Sequence, residues 1–191
     1  FYGGEYLVTW AFGHLFSLCD IESYLPPEKR TYRWSMENLP CLQENIQFEL
    51  RHEANGTVDA GVKRQFETLC TLCNRGDVDT IANAGDADRE GEIIVRLCIQ
   101  NALSPERSAH CRLLRLWLPD QTPQTVAGAL RDMKDSRDYD NLAGEGFART
   151  YIDWLYGVNL TRYATLRTGT LLRVGRVIVP IVRAIYDRDM S

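Results

Sequence analysis

The switch in apolar period between Val78 and Leu118 limits the fold of this chain more than any other feature. "VDTIANAG" is a short apolar run closed by turn residues, which predicts a buried strand. "GEIIVRLCIQNAL" follows, with Ile93, Ile94, Leu97 and Cys98 on one helical face. "RLLRLWL" then predicts a second strand. A strand, a helix and a strand in that order imply a parallel ladder, because only a crossover helix brings the second strand back in the same direction. The expected class is α/β, a Rossmann-like parallel sheet flanked by helices, over roughly the first 118 residues.

The flanking segments extend this pattern. "EYLVTWAFGHLFSL" is rich in β-formers and predicts a strand entering a Gly turn. "SYLPPEKRTYRWSMENLP" is Pro-rich and polar, so it is expected to be a surface loop. "VDAGVKRQFETLCTLCNRG" predicts a helix with Val62, Phe66, Leu69, Cys70 and Cys73 on one stripe and Gly76 at its stop. "DQTPQTVAGALRDM" opens another helix, with Thr122 as N-cap and Pro123 in the first turn. The remainder, through "NLAGEGFARTYIDWLYGVNLTRYATL" to "RVGRVIVPIVRAIYDRD", reads as mainly helical. The expected division is 1–119 for the α/β domain and 120–191 for a helical segment.

Composition excludes several classes. Of 191 residues, 45% are hydrophobic and 25% charged, ordinary for a globular chain. No apolar run reaches the ~20 residues that span a bilayer, so no membrane partner is expected. Phe1 to Phe12 lacks the basic start and small-residue cleavage site of a signal peptide. Six irregularly spaced cysteines are expected to be reduced thiols of a cytoplasmic protein. Cys70 and Cys73 form a C-x-x-C, but no second one completes a zinc set, and both sit on an apolar stripe, so they are assigned to the core.

The net charge of −4 hides an asymmetry. From Asn141 to Ser191 there are seven Arg against four acids, while the first 140 residues hold 15 bases and 22 acids. Between Leu160 and Tyr186 there are five Arg, no Lys and no acid. Arg neutralises phosphates and aromatics offer bases a surface to stack on, so this run points to nucleic acid. A solvated Arg face is the alternative.

Three acids, Asp86, Asp88 and Glu90, stand two apart where the strand ends and the helix starts. In a parallel α/β sheet ligands bind beyond the carboxyl ends of the strands. Carboxylates gathered there are compensated by a cation, and Mg²⁺ suits oxygen ligands with room left for waters and a phosphate. Acids in a first helical turn also complement the helix dipole without any metal. The residues alone leave both readings open.

"AGDADREGE" resembles the signature of the Toprim domain, the acidic module of type IA topoisomerases, bacterial primases and some nucleases. Three further stretches resemble type IA topoisomerases, specifically the bacterial topoisomerase III branch. They are "VTWAFGHL", "ARTYIDWLYGVNLTR" and "VGRVIVP", the last similar to a V-G-R-V-Q-T-P segment. The four match in order over nearly the whole chain. A primase or nuclease shares the acids but has no reason to carry the later motifs.

The resemblance implies an enzyme that cuts one DNA strand through a phosphotyrosine link, passes another and reseals it with Mg²⁺. Asp86 and Asp88 would be the metal ligands, and Glu90 a nearby acid and third candidate ligand. Arg89 would steady a phosphate or the leaving oxygen, and Arg176 would belong to the same catalytic set. His14 would face that site; a buried hydrogen-bonded His is the alternative. Trp34, Arg149, Trp154, Arg162, Arg167, Arg173, Val174, Gly175, Arg176, Val177 and Ile178 fall on positions that contact DNA, mainly single-stranded. Trp34 and Trp154 as core residues are the alternative.

The departures are specific. The family's first strand, with its Glu-Lys pair, has no counterpart here, and none of the nine Tyr lies in the Tyr-Pro-Arg stretch that carries the nucleophile. Ile178 stands for the usual Gln, Tyr151 for a frequent Arg and Ala87 for a frequent Pro. The expectation is a Toprim domain plus the start of the next domain, inactive alone and with an exposed sheet edge. A degenerate module that only holds DNA is the non-enzymatic alternative.

Overall fold

The computed structural model describes residues 5–30 and 33–191. Thr31 and Tyr32, in the expected Pro-rich loop, lie outside the described residues. The chain forms two compact units. The first takes 1–17 and 49–147, the second 18–48 and 148–191.

In the first unit, strand β1 (Phe16–Leu18) pairs β2 (Phe48–Leu50) in a two-stranded sheet whose ends continue into the second unit. Helix α1 (Ala60–Cys73) is capped by Asp59, whose carboxylate accepts from the amides of Gly61 and Val62. Its stripe is the expected one: Val62, Leu69 and Cys73 are buried. The C-cap is Asn74, two residues before Gly76, because the Asn74 side-chain amide donates to the carbonyls of Cys70 and Ala102.

The α/β core follows as expected. Strand β3 (Thr80–Asn83) leads into α2 (Arg89–Ala102), then a short α3 (Pro105–Ser108) and strand β4 (Arg112–Arg115). β3 and β4 pair in parallel, Thr80 opposite Arg112 and Asn83 opposite Arg115. Helix α4 (Pro123–Arg131) starts at Thr122, whose hydroxyl accepts from the Thr125 amide, with Pro123 in the first turn. Strand β5 (Lys134–Asp135) adds two residues antiparallel to β4, and a 3-10 turn at Ser136–Tyr139 ends it. Ile93, Leu97 and Cys98 are buried on α2, as their spacing requires. The protein is thus mixed α/β with small sheets and much helix.

Helix α5 (Asp140–Thr168) begins in the first unit and continues in the second. The second unit also holds α6 (Ile178–Met190) and three 3-10 turns at Ile21–Tyr24, Pro27–Lys29 and Met36–Asn38. The sequence predicts a strand across "EYLVTWAFGHLFSL", yet regular structure covers only Phe16–Leu18 of it. Upstream residues face water, Val8 being 85% exposed, and a strand without a neighbour gains no ladder bonds. No helix among the described residues is long and apolar enough to cross a membrane.

Candidate metal and nucleic-acid sites

The loop between β3 and α2 is built by hydrogen bonds that the acids themselves make only in part. Asn83 is buried at the end of β3, and its side chain accepts from the Gly85 amide at 2.9 Å, which turns the chain out of the sheet. The Asp86 carbonyl accepts from the Asp88 amide at 2.8 Å. Asp88 is the N-cap of α2, one carboxylate oxygen accepting from the Gly91 amide at 2.7 Å. Asp86 therefore stands one turn ahead of the helix, in the positive field of its first amides.

Two glycines let the loop close this tightly. A Cβ at Gly91 would lie 2.5 Å from the Asp86 amide nitrogen and 2.8 Å from its Cα. A Cβ at Gly85 would collide with the Gly91 carbonyl. Backbone cannot rotate away as a side-chain tip can, so the loop must shift. Gly91→Ala is expected to lower stability by about 1–3 kcal/mol and to move the Asp86 and Asp88 amide resonances in a proton–nitrogen spectrum; unmoved resonances would show that the loop tolerates a Cβ.

Behind the loop lies a buried charge network that sequence reasoning missed. The side chains of Glu92 and Arg115 are both 0% exposed, with Arg115 Nε 2.7 Å from Glu92 Oε2. That Nε–H is not aligned for a hydrogen bond, so the contact is an electrostatic pair. The other Arg115 donors supply the geometry. Nη1 donates to the carbonyls of Asn83, Gly85 and Leu116 at 2.8–3.1 Å, and Nη2 donates to the Asp86 carbonyl at 2.6 Å. Burial pushes the guanidinium's pKa down, and Glu92 opposes that. Arg115 also stacks on Trp117, 4.9 Å from the ring centroid. Arg96 extends the network, reaching Glu92 at 2.8 Å and Asp140 at 2.7 Å.

The exposed acids divide. The Glu90 carboxylate lies 3.1 Å from His14 Nε2, so His14 is a surface partner of this loop and not a buried histidine. Arg89 pairs with Glu145 at 2.5 Å. No described residue pairs with the Asp86 carboxylate. Among the described residues no group of three or more His, Cys, Asp and Glu side chains converges as a metal cage. The donor set does fit the looser mode of Mg²⁺, in which one or two carboxylates share the ion with waters and phosphate oxygens. Asp86 and the second oxygen of Asp88 are the groups available for it.

In the second unit Arg162 is the organising residue. Its side chain is 3% exposed and forks onto Glu22 at 2.6 and 2.8 Å, with Asp20 at 2.6 Å. Its guanidinium lies 5.0 Å from the Trp34 ring centroid. Burial alone would raise the pKa of Glu22, but the Arg162 hydrogen bond, the Glu22 amide and the Arg162 charge together bring it below the ordinary carboxylate value. Trp154 packs between Tyr24 and Tyr151, with ring centroids 6.0 and 6.1 Å away. Tyr151 donates its hydroxyl to the Gln43 carbonyl at 2.5 Å. Asn159 grips the backbone of Cys41, accepting at 2.7 Å and donating at 3.0 Å.

The five arginines of the acid-free stretch are not an acid-free patch in space. Arg162 holds Asp20 and Glu22, Arg176 holds Asp153 at 2.5 Å, and Arg183 holds Asp187 at 2.8 Å. Arg149 lies 3.7 Å from the same Asp153. Arg167 and Arg173 are exposed and make no ion pair among the described residues. Val174 is pinned through both its amide and its carbonyl to the Thr161 hydroxyl. Arg176, Val177 and Ile178 are exposed beyond the half-buried Val174 and Gly175.

No protein-family model matches the sequence. Curated relatives do, among them three proteins named DNA topoisomerase 3. The Bacillus cereus protein is 35% identical over 187 residues, which is 98% of this chain and 24% of the relative. The Bacillus licheniformis protein is 32% identical over the same shares. The Haemophilus influenzae protein is 36% identical over 195 residues, 99% of this chain and 28% of the relative. The chain therefore spans about a quarter of the length of the relatives it matches, and over nearly all of its own length it is similar to proteins named DNA topoisomerase 3.

Proposed function

We propose that the chain is the acidic Toprim portion, with the start of the following helical domain, of a type IA topoisomerase that breaks, passes and rejoins single DNA strands. The proposed division is 1–119 and 120–191. The observation that carries this reading is the match of 98% of the chain to proteins named DNA topoisomerase 3, with Asp86 and Asp88 standing at the strand end where ligands of an α/β sheet bind.

In this reading Mg²⁺, when bound, neutralises phosphate charge. Asp86 and Asp88 hold it, Glu90 stands by through His14, and Arg89 is released from Glu145 to meet a phosphate oxygen. In the second unit Arg167, Arg173 and the exposed part of the Arg173 to Ile178 segment meet the backbone of a single strand. Arg149 and Arg176 share Asp153 and exchange it for phosphate. Trp34 and Trp154 give bases a stacking surface, and Arg162 fixes Trp34 in place. Cleavage itself needs a tyrosine that the motif here does not supply.

Manganese tests the metal assignment through its paramagnetism. Millimolar Mn²⁺ is expected to broaden amide signals from Gly85 to Gly91 in a saturable way that Mg²⁺ reverses. Asp86→Asn should abolish the effect. Asp88→Asn should abolish it as well while keeping the helix, because Asn is as good an N-cap as Asp. Broadening spread evenly over the acidic surface, or unchanged in both variants, would overturn the assignment.

A further inference from the structure

The turn between β2 and α1 gathers reactive groups that neither candidate site uses. Its sequence, "RHEANGTVD", contains the one Asn-Gly pair of the chain, Asn55 and Gly56. The turn is tight. The Gly56 amide donates to the Glu53 carbonyl at 2.9 Å and the Glu53 amide to the Thr57 carbonyl at 2.8 Å. An isolated bridge between His52 and Val58 closes it. Gly56 takes φ +81°, and nothing lies within 4 Å of where its Cβ would stand. Residues 53–57 are all exposed.

The Asn55 side chain is fixed within this turn at both ends of its amide. Its Oδ1 accepts from the Thr57 amide at 2.8 Å and from the Thr57 hydroxyl at 2.7 Å. Its Nδ2 donates to the Glu53 carboxylate at 3.4 Å. The bond from the Thr57 amide closes an Asx turn, in which Oδ1 replaces a main-chain carbonyl oxygen. Cγ then takes the place of the first carbonyl carbon of a β-turn, and the Gly56 nitrogen that of the third residue. Closing that ring draws the two atoms toward a near-attack arrangement, in which reacting atoms stand about 3–3.5 Å apart. Two donors on one oxygen also stabilise the oxyanion that forms when a nucleophile adds to an amide carbon. The nucleophile carries no side chain to shield it.

We propose that Asn55 is a self-modification site, at which the native turn converts the side-chain amide into isoaspartate. The Gly56 amide loses its proton to hydroxide, and its nitrogen attacks Asn55 Cγ. The two Thr57 donors hold the resulting oxyanion on Oδ1. As it collapses the Cγ–Nδ2 bond breaks, and Nδ2 takes a proton from water and leaves as ammonia. The succinimide left behind takes up one water. Opening at the main-chain carbonyl gives isoaspartate, and opening at Cγ gives aspartate. Either product places a new carboxylate beside Glu53. Isoaspartate also adds one carbon to the main chain inside the hairpin. Any Asn-Gly pair in an unfolded chain undergoes this reaction slowly; what the fold adds is the pair of Thr57 donors.

The test incubates the whole chain in mildly alkaline buffer and follows peptide masses with time. Asn55 is expected to exchange its amide for an acid ahead of every other Asn, mainly as isoaspartate, at a rate proportional to hydroxide. Thr57→Val removes one donor and should slow the reaction about two- to tenfold, the worth of one hydrogen bond. Thr57→Ser keeps the hydroxyl and should keep the parent rate. In urea the parent and Thr57→Val should react alike, because the turn is gone. A further comparison needs no variant: the folded parent should react at least as fast as the parent in urea. The proposal is overturned by equal rates in folded parent and folded Thr57→Val, by the same slowing in urea, by a folded parent slower than the unfolded one, or by another Asn reacting first.

Discussion

Arg115→Ala is expected to cost about 3–5 kcal/mol of unfolding free energy, the range for removing one member of a buried ion pair. Glu92 is fully buried, and the substitution leaves its charge with Arg96 as its one remaining ion-pair partner among the described residues. Four backbone carbonyls also lose a donor: Asn83, Gly85, Asp86 and Leu116. Arg115→Lys keeps the charge but cannot fork to four carbonyls at once, so it should recover only part of the loss. Pairing Arg115→Met with Glu92→Leu removes both buried charges and should be less harmful than Arg115→Ala alone. Urea denaturation measures all of these. The loop supplies a second readout: amide signals of Asp86 and Asp88 should shift in Arg115→Lys under conditions where the chain is fully folded. If Arg115→Ala unfolds at the parent midpoint, the pair is not what holds the loop.

The difference between what the sequence disclosed and what it hid follows from how far apart the partners lie. Helix caps and stripes are local, so the Thr122 cap of α4 and the apolar faces of α1 and α2 were legible from spacing alone. The β3–α2–β4 order was legible for the same reason. Arg115 was not, because in "RLLRLWL" it reads as one polar residue in an apolar strand, and its partner Glu92 is 23 positions away. The available signal was its place among inward-facing apolar positions, where an unpaired Arg is not tolerated. The arginine-rich run looks different in space. Its acids are absent from the sequence window but present in space, since Asp20 and Glu22 lie about 140 positions from Arg162. A charge count along the chain measures composition, while a phosphate meets only guanidinium groups that no carboxylate already holds. By that criterion Arg167 and Arg173 are the stronger candidates in the proposed reading, while Arg162 is already held by Asp20 and Glu22.

Arg162→Ala should destabilise the second unit by about 2–3 kcal/mol, the scale of hydrogen bonds to charged groups. The cost is smaller than at Arg115 because the orphaned partners can reach water: Asp20 is 61% and Glu22 23% exposed in the ion pair. The pH dependence separates the charge effect from lost packing. Glu22 has a folded pKa below its ordinary value, so its contribution is fully present above the unfolded carboxylate pKa of about 4.3. It is lost as pH falls through the lower folded value. The parent chain should therefore lose stability below about pH 4.3 more steeply than Arg162→Ala, and the two curves should converge once Glu22 is protonated in the folded chain. Denaturation midpoints measured across this window by tryptophan fluorescence in a Trp10→Phe, Trp117→Phe background report on the unit, since Trp34 and Trp154 both lie within it while Trp10 and Trp117 belong to the other. Parallel curves at all pH values would mean that Arg162 works through its contact with Trp34 alone, and the ion pairs with Asp20 and Glu22 would then contribute nothing to holding the aromatic surface in place.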